Sequence, residues 1–121
     1  MRGYDKAMVA ARAAEEKRAA DVVVLDLREY TLVADYFVIA TGESVVQLRA
    51  IAEGVEEAME AAGARLLGRE GTPQSRWVLM DYGDVVVHLL GPEERAYYRL
   101  ERLWGPDRAR PQTPRRVRRR P

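Results

Sequence analysis

Hydrophobic and polar positions change their spacing several times along this chain, and each change marks a predicted element. Ala7, Met8, Ala11, Ala14 and Ala19 follow a mostly helical period over residues 5–19, with Asp5 placed to cap the start. Two strand-like runs come next, D-V-V-V-L-D-L at 21–27 and D-Y-F-V-I-A-T at 35–41. The short link between them is too brief for a crossover helix, so the two are predicted to pair antiparallel. Ser44 and Gln47 then form a capping box at the head of a helix. Its apolar stripe is Leu48, Ile51, Ala52, Val55, Met59 and Ala62, and Gly63 supplies a left-handed stop.

Three further strands are predicted near 64–68, 76–81 and 84–90. The first of them follows a helix, which points to a right-handed crossover that sets it parallel to the strand at 35–41. Pro92, followed by Glu93 and Glu94, opens a last helix whose buried face is Tyr97, Leu100, Leu103 and Trp104, ended by Pro106. The order is α-β-β-α-β-β-β-α. A mixed five-stranded α/β (α+β) sheet with helices packed on it is the simplest way to hide every apolar face.

Length and composition narrow the classes. A chain of 121 residues supports one core, assigned here to residues 1–104. Nothing approaches an 18-residue apolar run, and the charged first twenty residues do not read as a secretory signal. The absence of cysteine removes disulfides and thiolate metal sites, and suits a cytoplasmic protein. A single histidine argues against a histidine-rich zinc site.

Charge changes the picture more. Residues 105–121 carry seven arginines and one aspartate, so +6 sits in the tail; subtracted from the whole-chain +1, this leaves the body at −5. The tail has no periodicity and little to bury, and is predicted to be disordered in isolation. Arg115, Arg116, Arg118, Arg119 and Arg120 form its densest part. They read either as an extension of a sequence rich in arginine or as a contact that displaces counterions from RNA.

The stretch W-V-L-M-D-Y-G-D-V-V-V-H at 77–88 carries the candidate chemistry. It is predicted to form a β-hairpin with Asp81, Tyr82, Gly83 and Asp84 at its tip. Carboxylates there can meet a basic partner while Trp77 and Tyr82 act as desolvated anchors, with Glu70 joining from a neighbouring strand end. Alternatively, Asp81 and Gly83 only shape the turn and Trp77 fills the core; the residues alone leave both readings open. His88 has no serine or cysteine nucleophile marked nearby and reads as a hydrogen-bonded structural residue. Gly42, Ser44 and the helix after them have the form of a phosphate-binding loop. The following strands lack a D-x-D pair, however, and Glu43 puts negative charge where phosphate would rest, so a capping role is the expectation. No catalytic residue, metal or cofactor is assigned.

Five segments together resemble the bacterial ribosomal silencing factor, or Iojap, family. They are D-V-V-V-L-D-L at 21–27, A-D-Y-F-V-I-A-T-G at 34–42 with Ser44 and Gln47, R-E-G at 69–71, the hairpin at 77–88, and R-A-Y-Y-R-L-E-R-L-W at 95–104. The likeness covers about residues 5–104 and leaves the arginine tail outside it. It implies a nucleotidyltransferase-like fold without that activity. It also implies binding to the large ribosomal subunit through its fourteenth protein, blocking the small subunit, and dimers in some members away from the ribosome. In that light the acidic, aromatic region becomes the expected protein-binding surface: Glu70, Trp77, Asp81, Tyr82, Asp84 and, on the last helix, Tyr98. The runner-up is a magnesium-dependent nucleotidyltransferase or a nucleotide-binding relative.

Overall fold

Alanine dominates the buried side of the first helix, and that small side lets it lie close on its neighbours. Ala7, Ala10, Ala11, Ala13 and Ala14 are all buried on α1 (Gly3–Glu16), which packs on the second helix and on the first two strands. The structure, a computed structural model, describes residues 2–32, 34–98 and 115–117; for residues 97, 98 and 115–117 only the backbone is described. Asp5 does not cap α1 as expected. The helix begins two residues earlier, with Arg2 as an N-cap that makes no side-chain bond, and Asp5 lies in the first turn. A carboxylate in that turn still meets the positive end of the helix dipole.

β1 (Ala20–Asp26) and β2 (Tyr36–Thr41) pair antiparallel as expected. The register shifts between Ala20 and Val23, where Asp21 takes a positive φ of 49°. α2 (Val45–Ala61) buries Leu48, Ile51, Ala52, Val55 and Met59 of the predicted stripe, while Ala62, its last expected member, is the C-cap and only partly buried. Each of the four larger side chains, Leu48, Ile51, Val55 and Met59, contributes roughly 1.5–3 kcal/mol relative to exposure. Gly63 takes the left-handed conformation that stops the helix, with φ +85°.

The strand expected at 64–68 lies at Gly68–Thr72 instead (β3). It is exposed along its whole length. Its sequence G-R-E-G-T has no apolar alternation, so nothing in the hydrophobic pattern marks it; backbone pairing to the next strand makes it a strand. The apolar Ala64 and Leu66 serve as the link that packs against the core. β3 pairs antiparallel with β4 (Trp77–Asp81), β4 antiparallel with β5 (Val85–Leu90), and β5 parallel with β2. β3 therefore runs in the direction of β2, as expected, but β4 and β5 stand between them. α3 is described from Pro92 to Tyr98, and its expected continuation through Leu100, Leu103 and Trp104 lies outside the described residues.

To the five expected strands the structure adds a sixth, β6 (Arg115–Val117), antiparallel to β1, giving the order β3-β4-β5-β2-β1-β6. The rest of the expected disordered tail at 105–121 lies outside the described residues. α1 and α2 cover one face of the sheet, where Val24, Val38, Val78, Met80, Val85, Val87 and Leu89 point. On the second face Val23, Leu25, Leu27, Ile39 and Leu90 form a separate cluster, with Phe37 and Trp77 packed against it.

Candidate docking face

Trp77 reaches the second face because of the turn that precedes it. Thr72 and Ser75 close a reciprocal capping box around the short Pro73–Ser75 helical turn, and Arg76 leaves it in the left-handed conformation. Gly71 has φ +78°, and a Cβ there would come within 2.0 Å of the Trp77 carbonyl oxygen. Glycine is therefore required in the R-E-G segment, since any side chain would collide with backbone. With this turn fixed, the two-residue period of β4 sends Trp77, Leu79 and Asp81 to one face and Val78 and Met80 to the helices.

Trp77 is half-buried. Its indole N–H donates to Nδ1 of His88 at 3.3 Å, and the two rings lie 6.1 Å apart. Phe37 packs on the imidazole as well, 4.6 Å between ring centres. His88 is only 4% exposed, and burial pushes its pKa down to about 4. The ring is therefore neutral at pH 7, its Nδ1 lone pair accepts the indole proton, and Nε2 carries the hydrogen. Nε2 has no hydrogen-bond partner among the described residues. His88 is hydrogen-bonded, as expected, and lies within β5.

Beyond Trp77 the face opens into a groove of about 380 Å³ lined by Glu70, Gly71, Ser75, Trp77 and Leu79. Glu70 is exposed on β3, opposite Leu79 in register. The fold thus joins two of the six expected contact residues, Glu70 and Trp77, on one concave surface. Leu79 and Ser75 were not anticipated. The alternation W-V-L-M-D placed Leu79 beside Trp77 all along, whereas nothing local marked Ser75.

The hairpin tip departs from expectation. Tyr82 is not an exposed anchor: it is 4% exposed and belongs to the helix-side core, on the opposite face from Trp77. Burial, with the Glu56 carboxylate nearby, pushes its pKa up to about 12, and its hydroxyl has no hydrogen-bond partner among the described residues. The carboxylates are also engaged. Asp81 Oδ1 accepts the Gly83 N–H at 2.8 Å, which shapes the turn, and Asp84 Oδ1 is 2.7 Å from Lys6 Nζ on α1. The exposed group beside the tip is Leu67, 62% exposed and next to Gly83. Tyr98 is the last described residue of α3, and its side chain lies outside the described residues, as do those of the tail arginines.

Tyr82→Phe removes a buried hydroxyl that bonds to nothing described. It is expected to leave stability unchanged or raise it by up to about 1 kcal/mol and to leave partner binding untouched. Urea unfolding and a binding assay check this; a loss of binding with the fold intact would return Tyr82 to the docking surface.

The loop at Gly42–Ser44 caps its helix as expected. Ser44 Oγ accepts the Gln47 N–H at 3.1 Å, and Gln47 Oε1 accepts the Glu43 N–H at 2.6 Å. The same Gln47 donates to the Lys17 and Arg18 carbonyls, tying the start of α2 to the end of α1. Among the described residues no three His, Asp or Glu side chains gather where a metal ion would sit, and no helix is long and apolar enough to cross a membrane.

Comparison with known proteins gives a consistent answer. The family model described as ribosomal silencing factor during starvation matches residues 2–120, running past the expected 5–104 into the arginine-rich segment. The ribosomal silencing factor of Bacillus subtilis is 46% identical over 97 residues, 80% of this chain and 82% of that protein. The chloroplastic Iojap protein of Zea mays is 37% identical over 78% of this chain and 41% of its own length. A crystal structure of a Chromobacterium violaceum protein superposes with a TM-score of 0.83 at 34% identity, covering 93% of this chain and 92% of that one. A Bacillus halodurans structure gives 0.71 at 43% identity, covering 79% and 90%. The chain belongs to the ribosomal silencing factor family.

Proposed function

We propose that this chain is a non-catalytic translational repressor that binds the large ribosomal subunit through its fourteenth protein and blocks joining of the small subunit. The reading rests on family membership and on one observation of geometry, the groove that sets Trp77 beside Glu70. A ring held on its inner side by His88 and the Leu90 cluster is pre-organised, so little side-chain freedom is lost when its outer side is covered. Ribosomal proteins are mostly basic, and Glu70 on the rim is the complementary charge. Asp81, further along the same face, and Tyr98 on α3 extend the proposed contact. Tyr82 is excluded by burial, and Asp84 is held by Lys6. The partner places the chain in the cytoplasm, and a homodimer is proposed for the form away from the ribosome. The alternative, a magnesium-dependent nucleotidyltransferase or nucleotide-binding relative, gains no support from the Ser44 loop, whose hydroxyl is spent on capping.

Co-sedimentation tests this. The chain is expected to pellet with isolated large subunits and not with small subunits or preformed joined ribosomes. Equal binding to joined ribosomes would overturn the steric block.

The arginine tail is proposed to add RNA contacts through Arg115, Arg116, Arg118, Arg119 and Arg120. A chain cut after Pro106 is expected to recognise large subunits still, but with a shallower salt dependence. Each lost phosphate contact should reduce the slope of log affinity against log salt by roughly 0.7–0.9, and the two forms should converge at high salt. Binding across a salt series decides it; parallel lines of equal height would mean the tail contributes nothing.

A further inference from the structure

β1 has β2 on one side, and on the other the N–H and C=O groups of alternate residues face outward along an apolar run, Val22 to Leu25. Such an edge is a ready template for another extended segment. Here the chain's own C-terminal segment takes it. Val117 is opposite Val24, Arg116 opposite Leu25 and Arg115 opposite Asp26. Those three residues stand inside the densest part of the arginine-rich tail, so the segment that closes the sheet edge is also the one with most to gain from a phosphate backbone.

We propose that the outer edge of β1 is a docking strand for the arginine segment, and that RNA competes for that segment, so that the tail is either paired to the sheet or spread on phosphates. The competition half rests on the RNA contact proposed above for the tail. Two physical arguments support exclusive states. A pairing three residues long stands near balance, because the entropy cost of ordering each residue is comparable to the net gain from a hydrogen bond. A body of charge −5 also repels a polyanion, so arginines paired along its edge meet RNA less favourably than arginines extended away from it. Contact with phosphates, by contrast, gains from counterion release at every arginine freed. Removing the tail from β1 would at the same time expose an apolar edge.

The chain has no cysteine, so one introduced pair reports the docked state alone. Directly opposed antiparallel residues have the Cα separation a disulfide needs. In the full-length chain, Asp26→Cys with Arg115→Cys is expected to close an intramolecular disulfide roughly tenfold faster than the control Asp26→Cys with Arg120→Cys. Leu25→Cys with Arg116→Cys gives a second reading that leaves Asp26 intact. A 20-residue oligouridylate at low salt should slow closure, and the closed form should bind that oligonucleotide several-fold more weakly than the reduced form. Equal closure rates for both test pairs and the control would overturn the docking. Disulfide-linked dimers in place of the intramolecular product would overturn it as well, assigning the edge to a second copy. Oligouridylate that binds but leaves the closure rate unchanged would overturn the competition. Failure of the full-length chain to bind it at all would overturn the competition together with the RNA reading beneath it, while the closure rates still decide the docking.

Discussion

Trp77→Ala is expected to weaken binding to the large subunit by about 2 kcal/mol, roughly thirtyfold in affinity. The magnitude follows from the position of the ring. Its inner side already packs on the Leu90 cluster and its N–H is satisfied by His88, so only the outer side remains for a partner, and that side lines the groove with Glu70 and Leu79. Truncation leaves a hole where a rigid anchor stood. Some loss of stability accompanies it, because the ring also fills part of the second-face core. The measurement therefore pairs a binding titration with thermal unfolding. Weakened binding by a chain that still melts cooperatively supports the anchor. A chain that binds normally once folded shows that Trp77 only fills space. Glu70→Lys provides the independent check, since Glu70 is exposed. Its reversal should weaken binding while leaving stability within about 0.5 kcal/mol.

The second large effect is on stability against pH. The folded chain holds His88 at a pKa of about 4, against 6.5 for an unperturbed histidine, because burial disfavours the imidazolium. Between pH 6.5 and 4 the unfolded chain therefore takes up a proton that the folded chain refuses. Unfolding gains that proton, so stability falls as pH falls. The loss begins near 6.5, proceeds at up to about 1.4 kcal/mol per pH unit, and reaches about 3 kcal/mol near pH 4. Above pH 6.5 the contribution is complete and flat. His88→Phe keeps an aromatic ring beside Phe37 and has no proton to take up. Urea unfolding of both chains from pH 7 to pH 4.5 should give curves that converge as the wild type loses its advantage. Curves that stay parallel would show that His88 titrates alike in both states. Since protonation at Nδ1 also removes the acceptor for the Trp77 indole, docking is expected to weaken over the lower part of the same window.

The sequence by itself determined the elements that bury an apolar pattern. The stripe on α2, its Ser44 and Gly63 ends, the antiparallel β1–β2 pair and the hairpin around Gly83 were all written in local spacing, because each depends on residues within one or two turns of chain. The five family segments were legible for the same reason. What local spacing could not express, the tertiary structure decided. β3 carries no hydrophobic period and exists because β4 lies beside it. β6 is three residues of a charged tail, a strand only by virtue of the β1 edge. Trp77 and Tyr82 are five residues apart in one hairpin and both read as candidate anchors. Strand parity and the turn after Asp81 send one to the groove and the other into the core under α2. The charges of Asp81 and Asp84 were visible, but their engagement with Gly83 and with Lys6, distant in sequence, was not. A residue type states what a side chain is able to do; only the packing of elements far apart in the chain decides which side chains are left with a surface on which to do it.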